Sequence, residues 1–404
     1  MHENLFSYPA TLAHYRSAPL LTQRESFLWH CAEQGYTRTG LAKVAWLLRI
    51  VAESRLPKQR LVRRADLDRM AHDYSESTRP VLLHAAMQWF AFIGEPRIEA
   101  MAEGRFAGEL VAFETFMREE RGLSPMTILT RREQLRPFFD RLARIRRVRS
   151  LQEVTLRLLD RYFMEQSQHG WSRASLATLA GTLRSFFYYA EGQRWCRSGL
   201  AAAIDAPRLY ALEGLPRGPD WKQVQALLAR TDGEDPVSIR DRAVMMLLAV
   251  YGLRRAEVAA LRLEDLDFEN ELIRITRPKQ RRTQQYPLLG TVGEALLHYL
   301  QHARPRCDCR SVFLTIKAPR RALSASSISA VVRWRLRAMG VKGIPCGAHG
   351  LRHACAKHLL ATGFSFKQVG DQLGHRCASA TSLYAKVDLK GLRDVADISL
   401  GRLI

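Results

Sequence analysis

Apolar residues recur at intervals of three and four along most of this chain, a period that buries a face only in a helix. Between residues 110 and 192 the pattern resolves into four helices. They cover Leu110–Glu120, with Leu110, Phe113 and Met117 on one face, then Pro125–Leu142, Leu151–Ser167 and Arg173–Gly192. Ser124-Pro125 is a start signal, a capping hydroxyl followed by a first-turn proline. Strand-like alternation is absent there. It appears between Asp267 and Leu288, in Leu272-Ile273-Arg274-Ile275 and again before Pro287, around a polar, basic centre. That stretch predicts a β-hairpin with Lys279 near its tip. Helical spacing returns at Asp220–Arg230, Arg240–Tyr251, Glu257–Leu263, Val292–His302, Ser326–Met339, Leu351–Thr362, Phe366–Leu373, Ala378–Lys386 and Gly391–Ile398. The expected class is mainly α with a small β-sheet or hairpin.

Two runs of helix-breaking residues divide the chain, one from Gly94-Glu95-Pro96 to Gly104 and one from Pro207 to Pro219. Three domains are expected, over 1–104, 105–206 and 207–404, the last carrying a C-terminal tail at 388–404. The first segment echoes the second. Phe27 and Leu28 precede Gly35-Tyr36-Thr37 as Phe116 and Met117 precede Gly122-Leu123-Ser124, and Leu67-Asp68-Arg69 parallels Leu159-Asp160-Arg161.

The formal net charge of +22 strains a compact chain unless an anionic partner relieves it, and nucleic acid is the expected partner. Lys and Arg exceed Asp and Glu by 3 over residues 1–100, by 6 over 101–210 and by 13 over 211–404, so the excess grows toward the C-terminal segment. The seven cysteines show no paired framework, and Cys307-Asp308-Cys309 lacks zinc-site spacing. Reduced thiols and no metal are expected. The apolar run Ala243 to Tyr251 is far short of a bilayer span, and Met1-His2-Glu3-Asn4 does not open a secretory signal. A cytoplasmic, membrane-free location is expected.

Within the basic C-terminal segment, chemistry-bearing residues follow one another in a fixed order. They are Arg254 in Gly252-Leu253-Arg254-Arg255-Ala256-Glu257, Lys279 in Arg277-Pro278-Lys279, and His349 with Arg352 in His349-Gly350-Leu351-Arg352-His353. His375 in Leu373-Gly374-His375 and Tyr384 in Leu383-Tyr384 complete the series. Any one of these is more often a solvated or structural residue than a functional one. As a set they supply cations for a phosphate, a proton donor for a leaving oxygen and a phenol able to attack phosphorus.

In those motifs the stretch from about Leu215 to Tyr384 resembles the catalytic domain of the tyrosine recombinases, the phage-integrase family. Arg121-Gly122-Leu123-Ser124-Pro125-Met126-Thr127 and the helices around it are similar to that family's helical core-binding domain, which grips DNA opposite the catalytic domain. The implied architecture is a helical core-binding domain plus a mixed α+β catalytic domain, preceded by an extra N-terminal helical domain that is a diverged copy of the core-binding fold. The resemblance implies Arg254 and Arg352 as phosphate clamps, His349 and His375 as phosphate hydrogen-bond partners and Tyr384 as the nucleophile. His349 is a candidate to accept the tyrosine proton. Lys279 would protonate the departing 5′ oxygen, with Pro278 before it where the family commonly has glycine. Glu257 and His353 are expected to support these groups from behind, while Arg277, Arg281, Arg282, Arg131 and Arg132 are expected to touch DNA. The implied reaction is site-specific recombination through a 3′-phosphotyrosyl link and a Holliday junction, without cofactor or metal. A homo-tetramer on two duplexes, with or without sister recombinases, would carry it out, and the apolar spacing of the tail suits docking on a neighbour. A type IB topoisomerase-like relaxing enzyme and a non-catalytic DNA-binding or architectural protein are the competing readings.

Overall fold

The structure is a computed structural model that describes residues 1–54, 64–94, 105–209, 218–277, 282–341 and 347–374, together with Tyr384. The expected domain borders near 104 and 207 adjoin stretches outside the described residues. Helices α1 to α6 span His2–Leu5, Pro9–Ser17, Leu21–Glu33, Arg38–Glu53, Arg64–His72 and Arg79–Phe92. Helices α7 to α10 span Ala107–Glu119, Pro125–Arg144, Leu156–Gln168 and Arg173–Gly192. There follow α11 to α13 (Trp221–Ala229, Pro236–Val250, Arg255–Ala260), strands β1 to β3 (Leu266–Asp267, Leu272–Arg277, Arg282–Pro287) and α14 to α17 (Gly290–His298, Ala325–Ala338, Ala348–Ala361, Phe366–Leu373). The class is therefore mainly helical with one small antiparallel sheet, in the order β1-β2-β3. Two compact units form, one of Met1–Arg16, Arg24–Ala45 and Gly214–Ile404, the other of Ser17–Gln23 and Trp46–Glu213.

Local chemistry explains where elements begin. Ser124 caps α8 by accepting from the Thr127 N–H at 3.3 Å, with Pro125 in the first turn. Helix α9 starts at Leu156 and not at Leu151 because the Glu153 carboxylate turns back onto the Ser150 N–H at 3.2 Å, closing a separate 3-10 turn over Leu151–Glu153. Helix α12 starts four residues before the expected Arg240. Asp235 accepts from the Val237 and Ser238 N–H groups at 3.0 and 3.1 Å and Pro236 fills the first turn, a start signal that the apolar pattern alone does not reveal.

The second unit is built on aromatic packing. Phe186 lies edge-on to Phe113 (centroids 5.3 Å, 87°) and to Phe139 (4.9 Å, 76°), a geometry that places ring edges against ring faces. In the first unit α12 is buried all round, from Ala243 to Ala249, as expected of a helix that is apolar on every side. It packs against α11, α13, α14, α15 and α16. Among the described residues no helix is long and apolar enough to cross a membrane.

The sheet leans on that core by one face. In β2, Ile273, Ile275 and Arg277 are buried while Arg274 and Thr276 are exposed, and Ile273 pairs with Tyr286 of β3. The period of two thus carries Arg277 to the inner face.

Phe186 is fully buried among the rings of α7, α8 and α10. Phe186→Ala is expected to lower unfolding stability by about 3–5 kcal/mol, read from the denaturant midpoint; a loss below about 1 kcal/mol would contradict this packing.

Candidate active site

Gly252, at φ +60°, turns the chain from α12 into α13 where an added Cβ would lie 2.4 Å from Leu373 Cδ2. The turn sets Arg254 at the head of α13, where Glu257 holds it twice. The carboxylate accepts from the Arg254 backbone N–H and from its guanidinium, both at 2.8 Å. Arg255, the equally placed alternative in sequence, is exposed and reaches toward Ser329 of α15.

The carbonyl end of α17 is the meeting point of the site. A helix ends with four unpaired carbonyls and a partial negative charge of about half an electron, and here each carbonyl from Asp371 to Gly374 receives a side-chain donor. Gln284 donates to Asp371 O (3.2 Å), the Tyr286 hydroxyl to Gln372 O (2.6 Å), Arg277 and Arg352 to Leu373 O (2.6 and 2.8 Å) and Arg254 to Gly374 O (3.2 Å). Gly374 closes the helix in the left-handed conformation, φ +63°. A Cβ there would stand 2.1–2.7 Å from the Arg277 guanidinium.

Arg277 therefore departs from its expected role. The charge run at the hairpin suggested a contact to DNA, but the side chain is 2% exposed. It is bonded to Leu373 O and Tyr286 Oη and lies 3.4 Å from Glu257 Oε1. Its guanidinium is committed to joining β2 to α13 and α17. Arg282, its register partner on β3, is the exposed member of the pair.

Helix α16 supplies the remaining groups. Arg352, 3% exposed, donates to Gly252 O at 2.6 Å as well as to Leu373 O. Burial and the neighbouring Arg254 bring its pKa down to about 10, so it stays cationic near neutrality. His349 and His353 stand one turn apart with rings 4.2 Å apart at 69°. Burial among neighbouring atoms, then the Arg352, Arg254 and Arg255 cations, push the His349 pKa below its usual value, although its outer edge still meets solvent. The shift favours the neutral imidazole of His349, a form that can hydrogen-bond to an anion's oxygen.

Tyr384 is 2% exposed and packs against Cys355, Ala356, Val369 and Leu373. Its hydroxyl lies 2.8 Å from His353 Nδ1, the rings edge-on at 5.6 Å and 63°. Burial raises the phenol's pKa, against the pull of Arg352. The structure thus gathers Arg254, Glu257, Arg277, His349, Arg352, His353 and Tyr384 into one site. Lys279, Arg281, His375 and the tail at 388–404 lie outside the described residues. Arg131 and Arg132 sit on α8 in the other unit; Arg131 donates to Ser185 of α10 at 3.0 Å and Arg132 faces Glu114 and Glu133 at 3.8 and 3.6 Å.

Sequence reasoning missed Tyr286 and Gln284 as supports of α17 and placed Arg277 on the wrong face. The missed signal was the alternation itself, since Arg277 continues the Ile273–Ile275 series. In the cluster three guanidiniums face the single carboxylate of Glu257, leaving positive charge suited to an anion such as a phosphodiester.

A mainly helical fold with a small hairpin sheet, and an arginine cluster beside a buried tyrosine, are the setting in which the likenesses to known proteins fall. Residues 220–390 match the model of the phage integrase family and residues 110–194 that of the phage integrase N-terminal SAM-like domain. Among curated proteins, the chain is 31% identical to the putative integrase/recombinase y4rF of Sinorhizobium fredii, over 98% of this chain and 95% of that protein. It is 36% identical to y4rA of the same organism, over 70% and 69%, and 30% identical to the tyrosine recombinase XerD of Listeria monocytogenes, over 69% and 94%. Among solved structures it resembles the XerH site-specific recombinase bound to palindromic difH (TM-score 0.57, 18% identity, 82% of this chain and 93% of that chain). It also resembles a lambda integrase dimer on a COC′ core site (0.55, 17%, 69% and 94%). The chain belongs to the phage integrase, or tyrosine recombinase, family, and is a DNA breaking and rejoining enzyme.

Glu257 neutralises buried Arg277 and fixes Arg254. Glu257→Ala strands a buried cation and is expected to lower stability by about 3–5 kcal/mol, with Glu257→Gln intermediate, as read by chemical denaturation. Equal, sub-kilocalorie effects of both changes would show that the carboxylate does not hold the cluster.

Proposed function

We propose that this protein is a site-specific recombinase of a bacterial mobile element, acting in integration, excision or transposition. Tyr384 attacks a scissile phosphate, a 3′-phosphotyrosyl bond forms and a 5′ hydroxyl is released; the same hydroxyl, or that of a partner duplex, later attacks the phosphotyrosine and restores the strand. The phosphoryl bond is conserved in the covalent intermediate, so no nucleotide is consumed. Two rounds of exchange pass through a Holliday junction. The observation that carries this reading is the Tyr384 hydroxyl lying within the site that holds Arg352, Arg254 and two histidines.

Displacement at phosphorus gathers negative charge on the non-bridging oxygens, where fixed guanidiniums stabilise the transition state more than the ground state. Arg254 and Arg352 take that role, His349 donates to a phosphate oxygen, and His375 is assigned a second such bond. Lys279 protonates the 5′ oxygen, a task its ammonium performs better than a guanidinium. Residues 105–206 form the DNA-clamp domain, with Arg131, Arg132, Arg281 and Arg282 contacting the DNA backbone. Residues 1–104 are a diverged copy of the clamp fold, a reading supported by the left-handed glycines that follow α3 and α7, Gly35 at φ +85° and Gly122 at φ +57°. Four protomers act on two duplexes in the cytoplasm, linked through the tail at 388–404. The mobile-element role is supported by the integrase/recombinase relatives and by the likeness in fold to the Tn1549 transposon integrase in complex with transposon right end DNA (TM-score 0.54, 18% identity).

The test uses nicked duplexes carrying the end sequences of the DNA segment that encodes the protein. Wild type is expected to give a denaturant-resistant, protease-sensitive adduct without added metal. Tyr384→Phe should give none while still binding DNA, and Arg254→Ala and Arg352→Ala should slow adduct formation about 10²–10³-fold each. An adduct that persists in Tyr384→Phe places the nucleophile elsewhere; salt-sensitive binding with no adduct on any end establishes a binding-only protein.

A further inference from the structure

The geometry points to His353 as the base that takes the proton of Tyr384 during cleavage and returns it during rejoining. This rests on Tyr384 being the nucleophile, and it moves the role from His349, the candidate that the family resemblance implied, to the histidine one turn further along α16. His353 Nδ1 stands 2.8 Å from the phenolic oxygen, within direct transfer distance, and the edge-on ring pair fixes the approach.

The surroundings explain why a base is needed and why this one serves. Tyr384 is buried, which opposes phenolate formation. Arg352, next in sequence to His353, stabilises the phenolate once formed. Among the described residues, His349, Arg352 and Cys355 of α16 face the pair, and Arg254, Glu257 and Arg277 lie around Arg352. That set is predominantly cationic. A proton moved from the tyrosine to His353 therefore separates a phenolate, which Arg352 welcomes, from an imidazolium, which it does not. The imidazolium gains when the scissile phosphate, with its charge growing in the transition state, arrives between the two arginines.

The step balances with no further reactant. The Tyr384 Oη–P bond forms as the P–O5′ bond breaks; the phenolic proton passes to Nδ1 of a neutral His353 carrying its other proton on Nε2, and O5′ takes a proton from Lys279. In rejoining, His353 gives its proton back to the departing phenol.

Rates of single-turnover adduct formation on the nicked duplex test the assignment. Asparagine places a polar atom near the position of Nδ1 but cannot take up a proton. His353→Asn is therefore expected to slow adduct formation by about 100-fold or more at pH 7, to regain rate as pH rises and to leave DNA affinity unchanged. His353→Ala, with its fold checked by thermal melting and DNA binding, should be rescued by free imidazole in proportion to the concentration of its neutral form. A substrate with sulfur at the bridging 5′ position needs no proton on its leaving group, so it should restore Lys279→Ala and leave the His353 deficit in place. A His353→Asn rate within a few-fold of wild type with no imidazole rescue, or a deficit erased by the bridging sulfur, overturns the assignment. Failure of wild type to form any adduct, or an adduct that survives Tyr384→Phe, is a different result and removes the recombinase reading on which the assignment rests.

Discussion

The carbonyl end of α17 holds this site together. A helix end leaves carbonyls without intrahelical partners; of the four from Asp371 to Gly374, Asp371 O also accepts from the Gly374 N–H at 3.1 Å. Side chains from β2, β3, α13 and α16 fill them, three of them arginines. A helix C-terminus attracts cations, so electrostatics and hydrogen-bond satisfaction act in the same direction. The left-handed Gly374 is the condition for it, because a side chain there would occupy the space of the Arg277 guanidinium. The elements that carry the chemistry are thereby tied to one point.

Holding guanidiniums in advance has a catalytic meaning. Arg277 and Arg352 are buried and Arg254 is half-buried beside them; such like charges repel, and desolvating the buried ones costs several kilocalories per ion. Glu257 and the α17 carbonyls offset that cost without cancelling the charge. The residual positive field is present before any substrate arrives, so in the proposed reaction no reorganisation is required when negative charge develops on the non-bridging phosphate oxygens. Arg277, buried on the inner face of β2, serves that arrangement from behind. Its contribution is to keep Glu257, and through it Arg254, in place.

Much of this was legible in the residues. The period of three and four gave the helices α7, α8 and α10 within a few residues, because each has a distinct apolar face and α8 and α10 open on a capping serine. The hairpin was legible as alternation. Boundaries failed where a polar side chain overruled the apolar pattern, as at Asp235 before α12 and Glu153 before α9. Arg277 was misread for a related reason. A run of Arg and Lys suggests a solvated, DNA-facing loop, whereas the two-residue period of the strand counts position and not polarity. The partner of the Tyr384 hydroxyl was not legible at all, since spacing along α16 allows either His349 or His353 to face it and only the packing of the buried tyrosine selects between them.

Proton traffic imposes a last constraint on the arrangement. A phosphoryl transfer that must run in both directions, cleavage and rejoining, requires the phenol and the 5′ oxygen to have separate proton partners, because a single group between them would short-circuit one leaving group with the other's proton. In the proposed mechanism His353 on α16 and Lys279 are assigned as those two separate partners. The Tyr384–His353 pair is held by the packing of Tyr384 against Cys355, Ala356, Val369 and Leu373. Within the proposed mechanism, burial of Tyr384 opposes ionisation of the phenol, and a phosphate held between Arg254 and Arg352 offsets the charge of an imidazolium at His353. On this argument the network that holds the arginines also couples the nucleophile's activation to the arrival of the phosphate it attacks.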